Sequence, residues 1–280
     1  MDHIRVEILL VWKGDLGEKV AVEMDGQSLL TIESVSKIFG GIRALEQVSF
    51  DISKGEIFSL IGPNGAGKTT MFNCITRIYL PESGRISFSG NDLLSLKPHQ
   101  ICSLGLTRTF QNIELFSHLN VAQNLIIGLY SHFQYRFLVS LLRLRGVREE
   151  ERKHRRRTEE IMDFLGLLPY KNLRVSSLPY GLQKLVELGR ALVSRPKLVL
   201  LDEPVSGMNQ QEKEMLTQIL LEIRKGLGTT ILLVEHDMNF VMNISDRICV
   251  LNFGEKIAEG TPDQVRQDPK VIEAYLGGEA

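Results

Sequence analysis

The sequence is defined first by what it lacks. No uninterrupted apolar stretch reaches about 18 residues, so no membrane-spanning helix is predicted, and any role at a membrane must run through a partner. Cysteine is scarce. Cys74, Cys102 and Cys249 are widely separated and make neither a CxxC pair nor a Cys/His metal spacing. That excludes a disulfide framework and reads as three small buried residues in a reducing compartment. Charge of one sign is missing too. With 33 Lys and Arg against 34 Asp and Glu, the net charge of -1 gives no reason to expect nucleic acid or an anionic membrane as partner. The opening MDHIRVEILLVWKGD carries an apolar run too short and too poorly flanked for a secretory signal.

What is present is the patterning of a globular α/β protein, in a chain long enough for one or two domains. Residues 1–28 lack periodicity and read as an N-terminal extension or upstream start, leaving 29–280 as the globular part. LLTIESVSKIF, ALEQVSFDIS, EIFSLIG and GRISFSG are short alternating or apolar runs and read as strands. Apolar residues then recur at helical spacing in VAQNLIIGLY, FLVSLLRLR and RTEEIMDFLGLL. Strand signals return in KLVLLDEP, TTILLVEHD and DRICVLNFGEKIAEG, the first set off by a helix, EKEMLTQILLEIRKG, predicted to end at Gly226. Near-continuous apolar strands alternating with helices predict a buried, largely parallel sheet, with a helical insertion at about 100–185. The charged run RLRGVREEERKHRRRTEE (143–160) reads as a solvated helix with i,i+4 ion pairs. It lacks the interleaved aromatics that base stacking needs, so no nucleic-acid partner is expected.

GPNGAGKTT, from Gly62 to Thr70, follows the strand EIFSLI and precedes a helical segment, which is the setting of a phosphate-binding loop. Gly62, Gly65 and Gly67, with Pro63, Asn64 and Ala66 between them, would let the loop's free backbone N–H groups turn toward phosphates at a helix N-terminus. Lys68 would reach the outer phosphates, and the Thr69 hydroxyl suits Mg²⁺, with Thr70 beside it. LVLLDEP carries Asp202 to the carboxyl end of a buried strand, where α/β sheets bind ligands. Asp202 is the expected second Mg²⁺ group, and Glu203 the candidate general base for water attacking the terminal phosphate. VEHD places His236 at another strand end, where an imidazole would orient that water. TRTFQN places Gln111 after a short strand.

These motifs occur in one order with a signature-like LPYGLQ at 178–183, and the set resembles the ATP-binding subunit of ABC transporters over roughly residues 29–278. The resemblance implies a P-loop, RecA-like α/β core, an antiparallel β part and an inserted helical subdomain. It implies a head-to-tail dimer, with itself or a related ATPase, holding two ATP between each P-loop and the opposing signature. Phe39 matches the aromatic that stacks on adenine, and Gln111 the glutamine that touches Mg²⁺ or water and senses the membrane subunit. Tyr180 and Gly181 match signature residues whose N–H groups reach the terminal phosphate across the dimer. Pro179 stands at the signature serine, a substitution that the first turn of a helix tolerates. Asn209 falls in the dimer-contact loop, where many members have Asp. The phrases VSKIFGGIRALEQVSF, TRTFQNIELF and GEKIAEGTPDQVRQDPKVIEAYLG are similar to the branched-chain amino-acid importer branch, in the larger of its two ATPase subunits. Expected partners are integral-membrane permeases and, indirectly, a periplasmic or extracellular solute-binding protein, at the cytoplasmic face of the cell membrane. Urea or amide import, lipid or lipopolysaccharide export, and a non-transport ABC protein are the alternatives.

Overall fold

The computed structural model describes residues 28–109, 111, 113–129 and 145–276, which form two compact units: Ile113–Ser194, and a larger one made from the chain on either side of it. The N-terminal extension, apart from Ser28, and the run FLVSLLRLR, apart from Arg145, lie outside the described residues. The larger unit begins with an antiparallel hairpin of β1 (Ser28–Phe39) and β2 (Ile42–Ser53), turned at Gly40–Gly41. β3 (Ile57–Ile61) follows, buried at every residue, and then α1 (Lys68–Ile75). β4 (Ser83–Phe88) and β5 (Asn91–Asp92) complete a four-stranded antiparallel sheet in the order β2-β1-β4-β5. α2 (Pro98–Ser103) and the three-residue β6 (Leu106–Arg108) come next. Both belong to the larger unit, because β6 pairs in parallel with the strand at Leu198–Asp202. The inserted unit therefore starts at Ile113 rather than near 100 and runs to Ser194 rather than 185.

Within that unit are α3 (Val121–Ile127), α4 (Arg145–Phe164) and α5 (Tyr180–Leu192). Asn120 caps α3 by accepting from the Gln123 N–H at 2.8 Å, and the Gln123 side chain accepts from Asn120 N–H in return. Asn124, fully buried, accepts from Phe116 N–H at 2.9 Å and donates to carbonyls around it, so its burial leaves no amide atom stranded. α3 approaches α5 closely at Gly128, where a Cβ would lie 2.0 Å from the Arg190 carbonyl oxygen. The charged run is helical as predicted, with Arg156 and Glu160 paired at i,i+4 at 3.2 Å.

On return to the larger unit, β7 (Leu198–Asp202), α6 (Gln210–Leu227), β8 (Thr230–Val234), α7 (Met238–Ile244) and β9 (Arg247–Asn252) alternate. β10 (Glu255–Gly260), α8 (Pro262–Gln267) and α9 (Pro269–Leu276) close the described chain. The six-stranded sheet runs β10-β9-β3-β8-β7-β6, parallel except for β10. α6 passes through Gly226 and stops one residue later, because Gly228, at φ 63°, supplies the left-handed position that ends it. One apolar cluster joins the antiparallel sheet to α1 and β3, β7 and β8, and a second lies under α7, α8 and α9. Phe50 of β2 stacks on Phe58 of β3 with centroids 5.3 Å apart, joining the two sheets.

Phe58 is fully buried and Phe253 is 85% exposed, which separates a core aromatic from a surface one. Phe58→Ala is expected to destabilise the protein by about 3–5 kcal/mol. Phe253→Ala should stay within about 0.5 kcal/mol. Urea unfolding of both variants measures this, and equal shifts would contradict the position of β3 in the core.

Candidate active site

β3 delivers the chain to Gly62, and the loop from Gly62 to Gly67 turns back into α1. Crowding and backbone together demand glycine at both ends of this loop. A Cβ at Gly62 would stand 2.1 Å from the Leu251 carbonyl oxygen, and one at Gly67, where φ is 104°, 2.5 Å from that of Ala44. The β9–β10 turn clasps the loop from outside: Gly254 N–H donates to Ala66 O at 3.1 Å, and Gly254 O accepts from Glu46 N–H at 2.8 Å. Within the loop the buried Lys68 ammonium donates to Gly62 O at 2.7 Å and Pro63 O at 2.9 Å. Burial lowers its pKa, against the pull of Glu203 and Asp202, so an anion placed here would relieve a desolvated cation. Asn64, Gly65 and Thr69 are exposed along the loop, and the first N–H groups of α1 have no acceptor within the helix. The loop is a cradle shaped for phosphate.

The strand ends beside it supply carboxylates. Asp202 closes β7 with its Oδ2 accepting from Arg108 Nη2 at 2.7 Å, both side chains being nearly buried. Arg108 also donates to Asn73 Oδ1 at 2.7 Å and lies over the Phe72 ring, 5.4 Å from its centroid. Glu203 follows with φ 47°, a left-handed backbone that costs an L-residue about 1–2 kcal/mol and that collects at functional sites. Its N–H donates to Val234 O at 2.9 Å, tying the turn to β8. Gln111 Nε2 donates to Glu203 Oε2 at 2.9 Å, and His236 Nδ1 stands 3.8 Å from the same oxygen, outside hydrogen-bond reach.

Gly62, Pro63, Asn64, Gln111, Glu203, His236 and Tyr275 line one cavity of about 470 Å³. The structure thus brings together the phosphate loop and three of the predicted polar residues. Phe39 stands apart from the cavity at the end of β1, 40% exposed, with Tyr79 edge-on at 5.0 Å and the Lys37 ammonium 5.0 Å from its ring centroid. Tyr180 and Gly181 belong to the inserted unit, Tyr180 exposed and Gly181 buried. Pro179 occupies the N-cap of α5 rather than its first turn, and α5 has no side-chain cap. Asn209, expected in a dimer contact, uses its side-chain oxygen to cap α6 through Glu212 N–H at 3.0 Å.

Three residues of the site escape a reading of the sequence. Arg108 lies inside TRTFQN, but nothing in a lone arginine announces Asp202 as its partner. Glu235 precedes His236 and is fully buried, accepting from Val205 N–H at 2.9 Å and His236 N–H at 3.1 Å. Burial raises its pKa against the pull of those amides. Tyr275 reaches the site from α9, far along the chain from the loop it joins. The donor set fits Mg²⁺ rather than a metal held by protein alone. Among the described residues no cluster of three or more His, Cys, Asp or Glu could hold an ion. A hydroxyl at Thr69 and the Asp202 carboxylate, one oxygen of which is already taken by Arg108, suit a hard cation that arrives with phosphate oxygens and water.

The family model described as ABC transporter matches residues 45–206, and one described as branched-chain amino acid ATP-binding cassette transporter matches residues 255–280. The chain is 41% identical over 251 residues to the high-affinity branched-chain amino acid transport ATP-binding protein LivG of Salmonella typhimurium, covering 90% of this chain and 98% of the relative. To BraF of Pseudomonas aeruginosa, which carries the same description, it is 38% identical, covering 89% and 98%. The crystal structure of an ABC transporter's ATP-binding cassette in its ADP conformation superimposes with a TM-score of 0.78 at 34% identity, covering 90% of this chain and 99% of that one. A nucleotide-free cassette gives 0.77 at 33% identity, covering 89% and 99%. This chain belongs to the ABC transporter family, as one of its ATP-binding, ATP-hydrolysing cassettes.

Proposed function

We propose that this cassette powers uptake of branched-chain or other hydrophobic amino acids, acting at the cytoplasmic face of the cell membrane on integral permeases, with a solute-binding protein supplying them. The observation that carries the hydrolytic part is the single cavity in which Gln111, Glu203 and His236 face the loop Gly62–Asn64. The transport part is supported by the C-terminal family match and by the similarity to LivG and BraF, which covers 90% and 89% of this chain.

ATP phosphates seat on the N–H groups of the loop and of α1, and Lys68 exchanges the carbonyls of Gly62 and Pro63 for phosphate oxygens. Thr69, Asp202 and Gln111 are the groups that would hold Mg²⁺, which when bound neutralises charge on the outer phosphates. Glu203 takes the proton from the attacking water, with Gln111 fixing one of its oxygens. His236 is 60% exposed and close enough to orient the water or the terminal phosphate by a small movement. Phe39 stacks on the adenine, consistent with its exposed ring. A second cassette, identical or related, contributes its signature loop through the Tyr180 and Gly181 backbone, at a helix end whose cap position carries proline.

Glu203→Gln should lower ATP turnover by about 10²–10³-fold while leaving ATP-driven dimerisation intact. Phosphate release together with size-exclusion chromatography reads both, and turnover near that of the unaltered protein would remove Glu203 as the base. Pro179→Ser restores a hydroxyl whose contact with a charged phosphate is worth about 1.5–3 kcal/mol. Steady-state ATPase should rise, and an unchanged rate would mean that backbone donors alone suffice there. For the solute, the cassette co-purified with its permeases and reconstituted should show ATPase stimulated by leucine delivered on its binding protein. Stimulation by urea, or by lipid without a binding protein, would overturn the assignment.

A further inference from the structure

Tyr275 is the one wall residue of the nucleotide cavity that the hydrolytic scheme leaves without a task. α9 carries it in from the C-terminal side, and its ring packs against the cluster of Ile61, Val241, Ile248, Val250, Val265 and Val271. Ile61 and Gly62 are the last residue of β3 and the first of the phosphate loop, so this packing sets Tyr275 beside the start of the loop, where it lines the same cavity as Gly62. The hydroxyl is buried, with the Gly62 N–H turned toward its oxygen, and no acceptor stands at hydrogen-bond geometry to its proton. Desolvation pushes its pKa up to about 12, opposed only by the nearby Gly62 amide, so the group keeps its proton at neutral pH. It is therefore a donor without an acceptor, buried at the edge of a cavity that its residue lines together with the loop, Gln111, Glu203 and His236. A buried hydroxyl proton without an acceptor is unfavourable and uncommon, and its persistence calls for an acceptor that arrives from outside the chain.

We propose that Tyr275 is a positioning residue that reads the terminal phosphate: in the ATP-bound state its hydroxyl donates to a water carried by that phosphate, and in the ADP-bound state its proton stays without an acceptor. This rests on the assignment of the cavity to the terminal-phosphate end of the nucleotide. It makes α9 an element whose seating depends on whether ATP or ADP occupies the loop. A water-mediated bond of this kind is nearly as favourable as a direct one.

The test compares Tyr275→Phe with its parent, both in a Glu203→Gln background so that ATP persists, using the full chain with Mg²⁺ and displacement of a fluorescent nucleotide. The phenyl ring keeps the packing and removes only the hydroxyl. ATP affinity should fall about 3- to 10-fold, the range of one net hydrogen bond, with ADP affinity unchanged. The melting temperature of the nucleotide-free variant should stay equal or rise, because a buried donor without an acceptor has been removed. Equal ATP-to-ADP affinity ratios in the two proteins would overturn the proposal. So would a parallel loss for both nucleotides with a lowered melting temperature, which marks a hydroxyl that serves the fold alone. A parent that binds neither nucleotide would overturn the assignment of the cavity and this inference with it.

Discussion

Three neighbouring strands that give no side chain to water, β3, β8 and β7, govern everything at their carboxyl ends. They lie in parallel register, Leu60 beside Val234 and Val234 beside Asp202, so the chain leaves each strand at nearly the same level. The phosphate loop, the Glu203 turn and the His236 turn are the continuations of those strands. Their functional groups meet because the sheet ends there, and the apolar runs that look least chemical are what set the distances between the groups that look most so.

The same burial makes charge at this edge costly unless it is matched. Asp202 is answered by Arg108, itself braced by Asn73 and the Phe72 ring, and Glu235 is answered by two backbone amides. A buried ion pair adds little net stability, but loss of either partner leaves an uncompensated charge in the core. The edge is therefore poised around fixed electrostatics. A divalent cation that approached Asp202 would compete with a guanidinium already in place, and Lys68 would be drawn from loop carbonyls toward any anion that entered.

Much of this was legible in the amino-acid order, because phosphate chemistry and buried strands both leave local marks. The glycines and lysine of GPNGAGKTT, the apolar runs before Asp202 and His236, and the glutamine after a short strand all announce themselves within a few residues. The fold class follows from the same runs. Features that depend on distant partners were not legible. The edge pairing of Leu106–Arg108 with Leu198–Leu200 moved the start of the inserted unit past residue 100, and three residues carry no periodicity from which that pairing is visible. Gly226 and Gly228 are equally good helix stops on paper, and only the backbone conformation chooses the second. Arg108 joins the site through a contact spanning 94 residues, and Tyr275 by lining a cavity whose loop wall begins at Gly62, near the other end of the chain.

The clasp of the β9–β10 turn on the phosphate loop bears on how the site comes into being. Gly62 is crowded by Leu251, Gly67 by Ala44 of β2, and Ala66 is bonded to Gly254, so two of these three constraints come from a hairpin nearly 190 residues downstream of the loop. On a ribosome the GPNGAGKTT segment emerges early, with β2 behind it but without the β9–β10 turn. β3 also waits, since both of its neighbours, β8 and β9, are made late. Closing so long a loop is slow relative to local helix formation. The candidate site is thus completed in the last quarter of translation, and a chain interrupted before residue 254 carries the GPNGAGKTT segment without the turn that clasps it.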